Sequence, residues 1–493
     1  MRRILSPAAV CVLACVAVAA ARADSISGTL RRDRVVGTKR ADRIAVEGGG
    51  ADRVRCGAGH DVVTADRSDR VASDCEVVSL RVSSDPYRNA GSRHQTQVEP
   101  DSFSYGSTIV TAFQSGRFFS GGASNIGWAA STNGGRMWKS GFLPGVTDFS
   151  RPRGAFPRVS DPAVAYDETH GVWMIAGLGF SPTANAMLVS RSRDRTAWSS
   201  PVTAVAYRAD LQFDKDWIAC DNWPSSPFRG SCYLSYADFG IGRLMVTASR
   251  DGGATWSAPV PLTEKFEGEE RNGVQPVVRP DGSLLVVYAG NRAIEAAIST
   301  DGGSTFAAPT AVAPLRFGDV PRIRSSPLPS VEVDAAGTVF VAWSDCSRRA
   351  QCADDDVLLA SSTDGHTWSA PTRVPTGPAQ PGRSYFTPGL AADPAAPGHI
   401  GITYYELAPC GCAIDVGFIG SSDGGATWHP PERLDARSMR PGWLAPTSLG
   451  LMVGDYISTS FVGGRPLPVF ALGSQPSRGS LHEAVFVTTR GLS

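Results

Sequence analysis

The sequence predicts an all-β chain, most of it a β-propeller, preceded by a small β-roll-like module. Three observations carry that expectation. A motif close to S-x-D-G-G-x-T-W recurs six times between residues 131 and 428. Short apolar runs of strand length flank the copies, and helical periodicity is nowhere sustained. Gly (53) and Pro (35) are as abundant as a chain of many turns requires.

The copies are Ser131–Trp138, Ser192–Trp198, Ser249–Trp256, Ser299–Phe306, Ser362–Trp368 and Ser421–Trp428, and their closing aromatics lie 50 to 62 residues apart. A D-G-G or N-G-G core makes a tight hairpin, because Asp, Asn and Gly tolerate positive φ. The Ser, Asp and Thr side chains can bond the turn backbone, and the aromatic is expected to wedge between repeats. Short strands recurring about every 58 residues, four to a repeat, read as propeller blades. Residues 90–493 hold about seven such repeats. Six carry the motif. Gly450–Phe461, Arg465–Ala471 and Glu483–Thr489 supply a seventh, completed by a strand around Gln95–Ser102. Six blades with a C-terminal appendage is the alternative. Closing the ring removes exposed sheet edges.

Ahead of the propeller, residues 24–85 form a separate module. Asp42, Asp52, Asp61 and Asp69 are spaced 10, 9 and 8 apart, each followed two residues later by Ile44, Val54, Val63 or Val71. Glycine turns precede Asp52 and Asp61. This resembles the nonapeptide repeat of RTX calcium-binding β-rolls. The resemblance implies calcium held at Asp52 and Asp61 in a cage of oxygens. Arg43, Arg53 and Arg70 lower the local negative charge, and Cys56 and Cys75 bracket the last turns. Two readings stay open: one or two calcium sites, or a disulfide-held relic without calcium.

Residues 1–23 read as an export signal: Arg2 and Arg3, the apolar run Ala8–Ala20, and the cleavage motif Ala21-Arg22-Ala23. A lipobox at Val12–Cys15 is the rival. No later apolar run approaches the ~20 residues of a membrane helix. The expectation is a secreted, extracellular bacterial protein, monomeric, without a membrane span. The remaining eight cysteines fall in local pairs, 56/75, 220/232, 346/352 and 410/412, which an oxidising compartment would join. The last pair, across one residue, is the least secure. Basic and acidic residues balance at 47 each, which argues against a nucleic-acid binder. All but four of the basic residues are Arg.

Six motifs in register resemble the Asp-boxes of the sialidase (neuraminidase) superfamily, also called BNR-repeat proteins. The resemblance covers about 400 residues at the level of fold. It implies boxes on the outer rim and a ligand site in the central channel, ahead of the first strand of each blade. Those positions are polar and Arg-rich: Arg158, Asp161, Asp214–Asp216, Glu270, Arg271, Arg324, Arg383, Tyr385 and Asp455-Tyr456. Arg158, Arg271, Arg324 and Arg383 would form a cationic funnel for the carboxylate of an acidic glycan, since the guanidinium fork binds carboxylate bidentately. Asp161 would be the acid/base. Tyr385 or Tyr456 with Glu270 would be the nucleophile pair, a tyrosine avoiding repulsion by the substrate's carboxylate. The R-I-P motif of that superfamily is absent: the chain has Phe156-Pro157-Arg158-Val159 and Pro321-Arg322-Ile323-Arg324. Two functions follow, an exo-α-sialidase type glycoside hydrolase or a non-catalytic propeller that binds glycan or protein at the cell surface. Asp214–Trp217 is either a salt-bridge cluster at the head of a strand or part of the channel mouth. Asp354–Asp356 is expected as a solvated charge run, with a loop cation site as the alternative, and Tyr404–Glu406 as blade packing.

Overall fold

The described residues are all-β, with only two single-turn 3₁₀ segments among them. The computed structural model describes residues 24–208, 213–266 and 271–492. Residues 1–23, the expected export signal, and Glu270 lie outside the described residues.

Residues 24–81 coil into a parallel β-solenoid. Asp24–Ser27, Asp42–Ala45, Val62–Asp66 and Val77–Arg81 stack as one parallel sheet, and Arg34–Val36, Arg53–Arg55 and Arg70–Val71 as the other. Their aliphatic residues meet between the sheets, sealed by Cys56 and Cys75, which are disulfide-bonded.

The aspartates of the repeat form a ladder. Oδ1 of Asp52 accepts the Asp33 N–H at 2.7 Å, and Oδ1 of Asp61 the Asp42 N–H at 2.7 Å. Asp69 Oδ1 and Glu76 Oε2 do the same for Asp52 and Asp61, at 2.8 and 2.9 Å. The buried Asp52 and Asp61 thus each satisfy a backbone donor of the preceding coil through Oδ1, while their Oδ2 atoms are buried without a hydrogen-bond partner among the described residues. A calcium cage needs about six to eight oxygens around one ion. Asp52 and Asp61 instead head strands of opposite sheets, and no cluster of three metal-ligating side chains occurs among the described residues. Side chains alone therefore do not build a calcium cage here, and Asp52 and Asp61 do not share one site.

From residue 92 onward, antiparallel four-stranded meanders follow one another. The first begins with Ser92–Tyr105, and the next five with Arg158–Asp167, Phe213–Cys220, Asn272–Val278, Ser330–Val333 and Ser384–Ala392. The seventh comprises Ser458–Val462, Arg465–Ser477 and Ser480–Arg490. Its fourth strand is Val77–Arg81, the last strand of the solenoid, antiparallel to Ser480–Arg490. The strand expected to complete it, around Gln95–Ser102, instead heads the first sheet. The solenoid and the sheets therefore share a strand.

The first strand of each sheet lies against the first strand of the next, and Ser458–Val462 lies against Ser92–Tyr105. Side chains stitch this ring. Ser102 Oγ meets Ser460 Oγ at 2.8 Å, Gln275 Nε2 donates to Val331 O at 3.1 Å, and Thr459 Oγ1 donates to Gly389 O at 2.8 Å. Sheets packed face to face bury both sides of their middle strands, so Leu284–Ala289 and Val339–Asp345 are buried throughout.

The six boxes link third and fourth strands. In one, Ser299 Oγ accepts Gly303 N–H at 2.9 Å, while Asp301 accepts from Thr305 N at 2.9 Å and Thr305 Oγ1 at 2.6 Å. These donors, the Thr305 hydroxyl foremost, pull the Asp301 carboxyl down to about 2. The left-handed positions are Gly302 and Gly303, not the Asp. Trp138, Trp198, Trp256, Phe306, Trp368 and Trp428 each join the core between their own sheet and the preceding one.

All four expected cysteine pairs are bridged, Cys410–Cys412 included. Asp354, Asp355 and Asp356 are buried, which corrects their reading as a solvated run. Asp356 accepts a fork from Arg349 at 2.6 and 2.7 Å and meets Arg373 at 2.8 Å. No described helix is long and apolar enough to cross a membrane.

Two outcomes test this fold. Asp61→Ala leaves the Asp42 N–H without its acceptor and should cost about 1–3 kcal/mol in thermal melts, whereas EDTA should leave the wild-type melting temperature unchanged. Deleting residues 24–81 uncovers the edge of Ser480–Arg490. Size-exclusion chromatography should then show concentration-dependent association.

Candidate functional site

A β-bulge interrupts five of the seven first strands near the same level, between Val98 and Asp101, Ser160 and Ala163, Asp214 and Trp217, Asn272 and Gln275, and Phe386 and Gly389. The residue inside each has positive φ: Glu99 (53°), Asp161 (51°), Lys215 (45°), Gly273 (74°) and Thr387 (50°). Such backbone is unfavourable for a residue with a Cβ, and bulges re-aim a side chain. Here the bulges turn Glu99, Asp161 and Lys215 from three sheets toward the ring axis, where Asp455 and Tyr456 of the seventh join them.

Lys215 is the centre of this cluster. Its Nζ lies 3.4 Å from the Tyr456 ring centroid and 3.8 Å from that of Trp217, and it makes no hydrogen bond among the described residues. The aromatic faces stabilise a desolvated ammonium. Burial lowers the Lys215 amine to about 8, although Asp161, Glu99, Asp101 and Asp216 oppose the shift.

Carboxyls outnumber cations here. Glu99, Asp101, Asp161, Asp214, Asp216 and Asp455 face Arg117, Lys215 and Arg324. Burial raises Glu99, and the charges of Asp455 and Asp161 add to it against Arg117. Asp161 and Asp216 also rise, first by burial. Asp101 is pushed up to about 7, although it accepts the Val164 N–H at 2.7 Å. The Arg324 guanidinium forks onto Asp455, with Nε at 2.8 Å from Oδ1 and Nη2 on Oδ2. One group of carboxyls thus favours holding protons beside a carboxylate held by a cation.

A hairpin, Ala445–Thr447 and Gly450–Met452, crosses the mouth above this cluster. Ser448 N donates to Phe119 O at 3.0 Å, Arg324 N to Leu451 O at 2.7 Å, and Met452 Sδ lies 3.0 Å from Arg117 Nε. The cavity left beside Lys215, Trp217 and Tyr456 is about 10 Å³, room for roughly one water.

The expected cationic funnel does not form. Arg271 pairs with Glu295 at 3.6 Å, Arg324 with Asp455, and Arg383 with Glu406. Arg158 donates to Ser120 Oγ at 2.7 Å and lies 4.4 Å over the Phe118 ring. The reason is cross-strand register. Glu406 stands on the strand beside Arg383, opposite Tyr385, and Glu295 on the third strand of its sheet, opposite Tyr288, so the nearest anion is the protein's own. Tyr385 is fully buried, its hydroxyl 3.3 Å from Pro378 O and its ring edge-on to Tyr404, which makes it core. Among the described residues, Asp161 and Tyr456 of the expected acid/base and nucleophile residues reach the axis, and Lys215 and Asp216 belong to the channel.

Glu99, Asp101 and Arg117 were not foreseen. Arg117 is buried at 2% exposure inside a strand that reads as plain sheet. For Glu99 a signal exists: Glu99-Pro100, Asp161-Pro162 and Thr387-Pro388 repeat an X-Pro pair at the bulge.

No family profile and no curated protein matches the chain. Solved structures of similar fold include a PL25 ulvan lyase bound to an oligosaccharide, at 13% identity over 82% of this chain and 96% of that one, with a TM-score of 0.48. The NanB sialidase from Streptococcus pneumoniae matches at 13% over 83% and 70%, TM-score 0.42. The α-L-arabinofuranosidase arb93a from Fusarium graminearum matches at 15% over 70% and 97%, TM-score 0.43.

The raised axial carboxyls set a sign for pH dependence. The Asp101 carboxyl binds its proton more tightly folded than unfolded, so its contribution is fully present below about pH 4 and is lost as pH rises through about 7. Asp101→Asn should flatten the fall in stability between pH 4 and 7, read from urea midpoints.

Proposed function

We propose that the ring is a seven-bladed propeller and that the protein is a secreted, glycan-active glycoside hydrolase working at the axis. One observation supports this above others: carboxyls that favour their protons stand beside Asp455, held by Arg324. Glycosidic cleavage needs that asymmetry, an acid to protonate the leaving oxygen and a carboxylate on the other side. Glu99 is the acid in this reading, Asp455 the base or nucleophile, and burial together with the charge of Asp455 keeps Glu99 protonated. The six boxes, which resemble those of the sialidase superfamily, support the same reading as to fold.

The finer version, an exo-α-sialidase on acidic glycans, asks more. It needs arginines free for a carboxylate and a tyrosine ready to ionise. The arginines named for it bond to protein groups, and burial with the surrounding carboxylates pushes Tyr456 well up. The reading therefore stays with glycan hydrolysis of unspecified sugar. The hairpin across the mouth favours a second reading, non-catalytic glycan or protein binding.

A panel of fluorogenic glycosides and a glycan array, run in parallel, separate the two. Hydrolysis that Glu99→Gln lowers by about a hundredfold or more supports the enzyme. Its rate should fall with rising pH, at a higher pH than an ordinary glutamic acid would give. Array binding without hydrolysis, unchanged in Glu99→Gln, supports the binding protein.

A further inference from the structure

Away from the axis, a cavity of about 570 Å³ opens between the first strand of the solenoid and the segment that joins the sixth and seventh sheets. It is lined by Ser27, Arg437, Arg440, Trp443 and Gln475. Arg437 Nη2 donates to Ser27 Oγ at 2.8 Å, and the Arg440 guanidinium lies 5.7 Å from the Trp443 ring centroid. Among the described residues neither arginine is within ion-pair distance of a carboxylate, unlike Arg271, Arg324 and Arg383. The Glu47 carboxyl, which the Arg437 charge lowers only as a minor cause, accepts Thr64 Oγ1 at 2.7 Å, and burial raises it toward its neutral form.

The turn Pro441–Trp443 carrying the indole is fixed in advance. Met439 and Leu444, each 1% exposed, anchor it on both sides in the largest core, and Trp443 N donates to Arg440 O at 2.8 Å. A rigid aromatic face beside exposed guanidinium, carboxamide and hydroxyl groups suits a sugar ring that bears an acid. The ring's C–H face stacks on the indole, and the carboxylate takes the guanidinium. The volume falls within the ordinary range of small-ligand sites.

We propose that this cavity is a binding site for an anionic saccharide, a uronate-bearing chain, separate from the axial cluster. A second cavity of about 460 Å³, with Arg93 and His94 in its lining, lies across Gly442 and gives such a chain room to extend. The solenoid completes the site through Ser27.

Isothermal titration of the full-length protein tests the proposal, with tetragalacturonate, its methyl ester, poly-L-glutamate and sodium sulfate as probes. Tetragalacturonate should bind about tenfold more tightly than the ester, and Arg440→Ala should remove that preference. Arg440 is exposed, so this variant keeps its fold. Trp443→Phe should weaken acid and ester alike. Glu99→Gln should leave every affinity unchanged, which keeps this site's failure distinct from that of the axial reading. Equal binding of acid and ester, no effect of Arg440→Ala, or poly-L-glutamate or sulfate binding as tightly as the saccharide would overturn it.

Discussion

The ring rests on the pairing of Val77–Arg81 with Ser480–Arg490. The C-terminal strands make only three-quarters of a sheet, and an open outer edge would expose a row of unpaired backbone groups. The solenoid supplies the missing strand, so the two ends of the chain are held together by backbone hydrogen bonds. Val82, from the residue after that strand, then packs into the core between the seventh and first sheets. The solenoid is thus part of the closure, and its aspartate ladder stiffens the piece that closes the ring.

Closure also creates the axis. Once the first strands face one another, any polar side chain on them is withdrawn from water together with its neighbours. An excess of carboxyls in that setting cannot all ionise, since desolvation and like charge both oppose it. The chain meets this with a buried lysine between two aromatic rings, a forked Arg324–Asp455 pair, and protons retained elsewhere. Bulges with positive φ place the groups there. Backbone strain is thus concentrated at one level of the ring, and three of the five bulge residues there, Glu99, Asp161 and Lys215, carry ionisable side chains.

Much of the architecture was legible because its signals are local. The box turns, the strands flanking them, the paired cysteines and the coiled repeat of the N-terminal segment each depend on residues within one repeat. The two left-handed glycines of Ser299–Phe306 and the disulfide between Cys346 and Cys352 are examples. The candidate site was legible only in part. Asp161, Lys215 and Asp455-Tyr456 stood out as polar residues at strand heads, but the arginines beside them were given a ligand that the protein itself replaces. Asp354–Asp356 read as a surface run because their burial against Arg349 and Arg373 is a product of the folded sheet and carries no local signal.

By itself, then, the sequence determined the all-β character, the repeat and its turn chemistry, and the cysteine pairs, because those follow from neighbours a few residues apart. The tertiary structure decided which strand completes the last sheet and which arginine meets which carboxylate. It also decided which side chains share the axis. Arg324 and Asp455 are 131 residues apart, and Ser102 and Ser460 are 358 apart. Their meeting is set by the curvature and closure of the ring, which no single repeat encodes.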